Sequence, residues 1–265
     1  MCDLQVWTGE TVNKIFLPLS VSLSLCVASA VLAADLTPMP VEAEAEAPVS
    51  DWNGLYAGVQ AGPGFGDTGK LRLTPITPAL ETAFAPGFRG DFDNGVVAGA
   101  HVGYNWQMGR IVTGPVLDLN FADIGDKQIG RSLTPATYTI GRDLDMLASL
   151  RGRIGYLATD DLLFFATGGG AYGKVKFSYS QPGSGATTTT SGGQDSDFGY
   201  TVGGGVEAKL SERVSLTAEY LYTNLGGNDF RANLSGSAFG TGTTAVGERD
   251  KFDFHTVQAK LSYKF

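Results

Sequence analysis

Period-two alternation, recurring eight times from residue 52 onward, is the feature that most narrows what this chain can become. A strand points successive side chains to opposite faces, so apolar residues at every second position mark an element with one apolar and one polar face. Within 94–107, Val96, Ala98, Ala100, Val102, Tyr104 and Trp106 share one face, while His101, Asn105 and Gln107 share the other. Within 145–157, Met146, Ala148, Leu150, Ile154 and Tyr156 oppose Ser149, Arg151 and Arg153. Residues 198–210 and 214–223 repeat the pattern, with Glu207, Lys209 and Glu219 on the polar faces. The last run sets Val257, Ala259, Leu261, Tyr263 and Phe265 against Thr256, Gln258, Lys260 and Ser262. Weaker matches at 53–62, 111–123 and 162–179 complete the eight. Pro115 counts against regularity in the second of these, because it has no N–H to give a ladder.

Connection lengths alternate as well. Tight turns at 108–110, 158–161 and 211–213 follow the even-numbered segments, and long stretches rich in Gly, Thr, Ser, Asp and Pro follow the odd ones. Glycine supplies 37 residues, about twice its usual share of about 7%, which excludes a long-helix protein. A formal net charge of −8 excludes a nucleic-acid binder that works by neutralising phosphates. With 43% hydrophobic residues, wholesale disorder is excluded too. The expected fold is all-β: an eight-stranded antiparallel up-and-down transmembrane barrel, with short periplasmic turns and long extracellular loops.

Alternation alone would equally suit a soluble sandwich, and the aromatic residues separate the two. Up-and-down strands put Tyr104, Trp106, Tyr156, Phe165, Tyr263 and Phe265 at one end. Phe177, Tyr179, Phe198, Tyr200, Tyr220 and Tyr222 fall at the other, all expected on the apolar face. Two aromatic girdles flanking an Ala/Val/Leu band are what the two interfaces of a membrane select.

The N-terminal segment reads as export machinery. An apolar run over 15–34 follows Lys14 and ends in small residues, which predicts a cleaved signal peptide over 1–33. Pro18 and scattered Ser residues argue against a spanning helix, and acidic residues in the n-region suggest a start further downstream. Both cysteines, Cys2 and Cys26, lie in this segment, so the mature chain is expected to be free of disulfides. Residues 34–51 form an acidic, Pro-rich linker, which carries five of the acidic residues and no base. The barrel is assigned to 52–265.

The segments WNGLYAGVQAG (52–62), SLRGRIGY (149–156), LLFFATGGGAYG (162–173) and the terminal YKF (263–265) carry a resemblance. The chain resembles the small outer-membrane β-barrel (porin family) surface proteins of alphaproteobacteria, a group that includes surface antigens. The resemblance implies residence in the outer membrane of a Gram-negative bacterium after Sec-dependent export. It implies contacts with outer-membrane lipids and lipopolysaccharide, periplasmic chaperones and the barrel-assembly machinery; oligomeric state stays open. It also marks Leu261, Tyr263 and Phe265 as a C-terminal assembly signal.

An eight-stranded barrel is only wide enough for its own side chains. Asp118, Arg151, Arg153, Glu207, Lys209, Glu219 and Lys260 are therefore expected to form a charge network that fills the lumen and fixes strand register, with Lys174 and Lys176 also facing inward. A small wet channel is the alternative. The expected role is structural, in outer-membrane integrity, with a small porin or a haem- or host-molecule receptor as alternatives. No enzymatic activity, cofactor or metal is expected. His101 reads as a polar lumen residue, and His255, on the apolar face, has no Ser at the next same-face position to act as nucleophile. Gly168, Gly170 and Gly173 match GxGxxG, but no helix is expected after them, so they read as barrel wall. The Ser/Thr-rich stretch 181–197 is expected to be a mobile loop.

Overall fold

The computed structural model describes residues 50–67, 70–74, 76–133, 136–181, 186–192, 197–227, 230–236, 239, 242–247 and 251–265. The expected signal peptide and nearly all of the expected linker lie outside these residues. Eight long strands carry the fold: β1 (Gly54–Gly66), β4 (Gly95–Met108), β5 (Ile111–Arg131), β6 (Thr137–Thr159), β7 (Leu162–Ser180), β9 (Asp197–Lys209), β10 (Val214–Gly227) and β13 (Lys251–Lys264). Each pairs antiparallel with two others, in the order β5-β4-β1-β13-β10-β9-β7-β6, and β6 returns to β5. The hydrogen-bonded sheet thus closes on itself through the β1–β13 and β5–β6 ladders.

The eight alternating segments all fall in these strands. At the turn end, Gly109 with φ of +61° closes β4 onto β5, a conformation that favours glycine. Leu157 N–H donates to Arg110 O at 2.9 Å, and Leu210 N–H donates to Val214 O at 2.8 Å. The GxGxxG residues sit inside β7, where a Cβ on Gly169 would lie 2.0 Å from the Leu150 carbonyl oxygen. Close approach thus requires glycine at Gly169, and at Gly173, where a Cβ would lie 2.4 Å from Leu225 Cδ1, but not at Gly170, which faces open space. Pro115 is accommodated within β5: it pairs with Gly152 on β6, while the β4 ladder skips from Val116 to Thr113.

The side-chain pattern differs between the two ends of the strands. In the half nearest the tight turns, apolar residues face outward: Val59, Leu117, Leu150, Ile154, Val257 and Leu261 are all exposed. In the half nearest the longer connections apolar residues line the interior as well, and Val97, Ile124, Leu144, Val175, Leu225, Phe252 and Phe254 pack as one buried cluster. Irregularities accompany the change, with register shifts between Phe121 and Ile124 on β5 and between Leu144 and Met146 on β6.

This change corrects several expectations. The supposed long loop after 111–123 is strand, because β5 and β6 continue as a paired hairpin to Arg131 and Thr137. Buried Ile129, Tyr138 and Ile140 hold it inward. On β7 the predicted faces are reversed: Phe165 is 8% exposed and Phe164 53%. Phe177 packs inward against the buried cluster, and Tyr179 packs against a second one. Lys174 faces outward, as does Lys176, whose side chain is 63% exposed where it pairs with Asp145. The reason is that Leu162-Leu163-Phe164-Phe165 is apolar on both faces, so period alone cannot orient it.

The longer connections are also folded. The short strands β2 (Leu71–Thr74), β8 (Thr187–Ser191), β11 (Arg231–Ser235) and β12 (Thr243–Gly247) form a second sheet in the order β2-β12-β11-β8. The Thr run expected to be a mobile loop is β8, paired along its length with β11. A helix, α1 (Pro78–Ala83), starts at Thr77, whose side chain caps Leu80 N–H, with Pro78 in the first turn. Leu71, Leu73, Leu80, Phe84, Tyr138 and Leu234 share a core beneath this sheet. One further strand, β3 (Phe88–Asp93), pairs with the outer part of β5.

Candidate functional site

The interior of the ring in its turn-end half is polar and charged, and there six of the seven charged residues expected in a network form ion pairs. Asp118 on β5 and Arg151 on β6 face Glu219 on β10 and Lys260 on β13, strands on the opposite side of the ring. Arg151 Nη2 lies 2.7 Å from Asp118 Oδ2, and Nη1 lies 2.7 Å from Glu219 Oε1. Lys260 Nζ bridges the same two acids, at 2.7 Å to Asp118 Oδ1 and 2.8 Å to Glu219 Oε2. Two acids and two bases thus alternate around a closed, formally neutral square. Ser149 donates a further bond to Asp118 at 3.2 Å. The Arg151 side chain is 0% exposed.

A second pair lies beside the square. Arg153 Nη2 is 2.7 Å from Glu207 Oε2, and Ser215 Oγ donates to Glu207 Oε1 at 2.6 Å. The Arg153 guanidinium also lies 4.8 Å from the Phe165 ring centroid and 5.5 Å from that of Tyr56. Inward placement of Phe165 therefore supplies a cation–π partner. Lys209, predicted as part of the network, does other work at the turn end. Its Nζ donates to Asp51 O at 2.8 Å and to Ser50, and lies 4.6 Å over the Trp52 ring.

Trp52 closes that end. Its indole Nε1–H donates to Asp160 O at 2.9 Å, and the ring packs with Val112, Leu157 and Leu163. Lys264 bonds Asp51 Oδ2 at 2.8 Å, and this bond does most to hold the Asp51 carboxyl down to about 2. Sequence reasoning missed the roles of Trp52 and Tyr56 because neither disturbs the alternation. It also missed the Gln60–Asn120 bond at 2.6 Å and the buried Arg142–Asp126 pair, whose Nε–Oδ1 distance is 2.7 Å.

Of the predicted girdle residues, Tyr104, Trp106 and Tyr156 face outward at the turn end, and Tyr200 and Tyr220 face outward at the other. Tyr222 is half-buried and lies 5.3 Å from the His255 ring. His255 Nδ1 is 2.6 Å from Tyr220 Oη, and Phe65 stacks on it at 5.7 Å, so an aromatic cluster surrounds this histidine. His101 faces inward and its Nε2 lies 2.9 Å from Ser262 Oγ. At the C-terminus, Leu261, Tyr263 and Phe265 all project outward. Phe265 N–H donates to Leu55 O at 3.0 Å.

A closed antiparallel ring with an apolar exterior band and a polar, ion-paired interior inverts the layout of a soluble β-protein. The family model of the outer membrane protein beta-barrel domain matches residues 23–265. The chain belongs to this family. Among its relatives, the 31 kDa outer-membrane immunogenic protein of Brucella melitensis is 30% identical over 257 residues, covering 92% of this chain and 97% of that protein. The 22 kDa outer membrane protein of Rhizobium leguminosarum bv. viciae is 30% identical over 218 residues, covering 82% and 80%. The 25 kDa outer-membrane immunogenic protein of Brucella abortus is 26% identical over 230 residues, covering 86% and 84%. This outer-membrane β-barrel protein is therefore of the alphaproteobacterial type that the four sequence segments suggested, and its place is the outer membrane.

Proposed function

We propose that this protein is a structural, surface-exposed outer-membrane protein, an eight-stranded up-and-down barrel that contributes to membrane integrity and conducts nothing through its lumen. In this reading the tight turns face the periplasm and the second sheet caps the extracellular end. The observation that carries it is the Arg151–Asp118–Lys260–Glu219 square, which bridges opposite walls of the ring. An eight-stranded ring has room for side chains alone, and these side chains fill it with paired charge. Trp52 below and Phe252 and Phe254 above add apolar closures.

The square also supports a role in fixing register. A one-residue slip of β6 would turn Arg151 out of the lumen and leave two carboxylates with Lys260 alone. Recording from the refolded protein in a planar bilayer tests the sealed lumen: a flat baseline is expected, and steady porin-size conductance would overturn it. Catalysis has no support around His255, whose Nδ1 is engaged by Tyr220. A second reading, a receptor acting through the cap, draws on that cap's own core and on its polar outer row of Thr244 and Asn233. Haemin titration tests its haem version, and a Soret shift on adding the protein would favour it over the purely structural role.

A further inference from the structure

Beside the charged square lies a small cavity of about 10 Å³, lined among others by Tyr56, His101, Arg153, Phe165, Glu219 and Ser262. Two of these residues bring polar atoms that no atom of the described residues satisfies, His101 Nδ1 and Arg153 Nε. Both residues are more than nine-tenths buried. Buried polar atoms are bonded in nearly every native interior, and the exceptions call for a partner of another kind. Here the two loose ends have complementary chemistry. Arg153 Nε carries a hydrogen and can only donate. His101 Nε2 lies 2.9 Å from Ser262 Oγ, and when it donates there Nδ1 is left as an acceptor.

A single small group that accepts once and donates once satisfies both. A cavity must offer about 10–15 Å³ to hold a water centre, together with two to four polar partners, and this one meets the lower bound of each. An anion could accept from Arg153 but would confront the His101 lone pair. A cation would confront the guanidinium. We propose that the cavity is a binding site for one water molecule, which accepts a hydrogen bond from Arg153 Nε and donates one to His101 Nδ1. This water joins the Arg153–Glu207 pair to the His101–Ser262 pair, and so links β6 and β9 with β4 and β13 by a path independent of the square. The proposal concerns this one cavity and does not depend on whether the lumen conducts.

Two measurements on the refolded full-length protein test it. A high-resolution crystal structure should hold a water-sized density peak within about 3.2 Å of both atoms. An empty cavity overturns the proposal, as does a direct bond from either atom to protein. A peak that takes up bromide on soaking also overturns it, because it would belong to an anion. Oxygen-17 relaxation dispersion of the micelle-bound protein should show a long-lived water signal that falls by one molecule in His101→Phe and is unchanged in His255→Phe. Both variants must keep the heat-modifiable band of the folded barrel. Equal signals from wild type and a folded His101→Phe refute the site, and if that variant does not fold the crystal structure decides alone.

Discussion

Replacing Arg151 by alanine should be among the most damaging single changes in the lumen. The guanidinium makes four contacts with carboxylate oxygens, at 2.7 and 3.1 Å to Asp118 and at 2.7 and 3.1 Å to Glu219. Without it, two buried carboxylates share the one ammonium of Lys260, and the square carries an uncompensated negative charge. Breaking a buried pair in this way costs about 3–5 kcal/mol, or roughly 150- to 4,000-fold in the folding equilibrium at about 1.4 kcal/mol per decade. The contrast is the exposed Lys176–Asp145 pair, where truncation should cost below about 1 kcal/mol. Urea titration in detergent micelles, scored by heat-modifiable gel migration, measures both. The Arg151→Ala midpoint should fall with an unchanged slope, and Asp118→Asn added to it should recover part of the loss by restoring neutrality. A midpoint equal to wild type, or no better in the double variant, would refute the reasoning.

Other consequences are as direct. Because Lys264 holds the Asp51 carboxyl at about 2, below its ordinary value of 3.8, the contribution of this clasp is full above pH 4 and is lost as pH falls toward 2; Trp52 emission should report that loss, and Lys264→Met should abolish the transition. Phe84→Ala removes a ring stacked on Phe88 and tilted against Tyr138 and should cost the cap about 3–5 kcal/mol. Trypsin should then cut the cap at exposed Arg72 or Arg231 while the heat-modifiable barrel persists; an intact cap would refute the assignment of its core. Deleting Phe265 should lower the folded fraction in cell envelopes more than in detergent refolding, and equal losses in both would argue against an assembly role.

The eight strands were legible because their turn-end halves obey one simple rule, apolar outward and polar inward. Beyond Phe121–Ile124 and Leu144–Met146 the interior takes apolar residues too, and there alternation misleads, making the paired ends of β5 and β6 look like a loop. The cap was illegible for another reason. Strands of four or five residues such as LRLT and TTTTS carry too little periodicity, and their pairing joins segments far apart in the chain. In the lumen, Asp118, Arg151, Arg153, Glu207, Glu219 and Lys260 could be assigned to the inner face from parity alone, whereas parity misplaced Lys174 and Lys176 on β7. Ion-pair partners could not be assigned so, because which wall Arg151 reaches depends on how the strands are staggered around the ring. Lys209 went astray because it sits at the strand end, close enough for Ser50 and Asp51 to claim its ammonium.

The second sheet is assembled from three separate connections, with β2 from the first, β8 from the third and both β11 and β12 from the last. Its outward row runs through Thr74, Thr244, Asn233 and Thr189 on the four paired strands, so it is complete only when all of these segments are in place. Antibodies raised to the folded protein that bind this row therefore recognise a discontinuous epitope. Peptides copied from any single connection should compete poorly for such antibodies, and a vaccine antigen built on this chain must keep the barrel that holds the segments together.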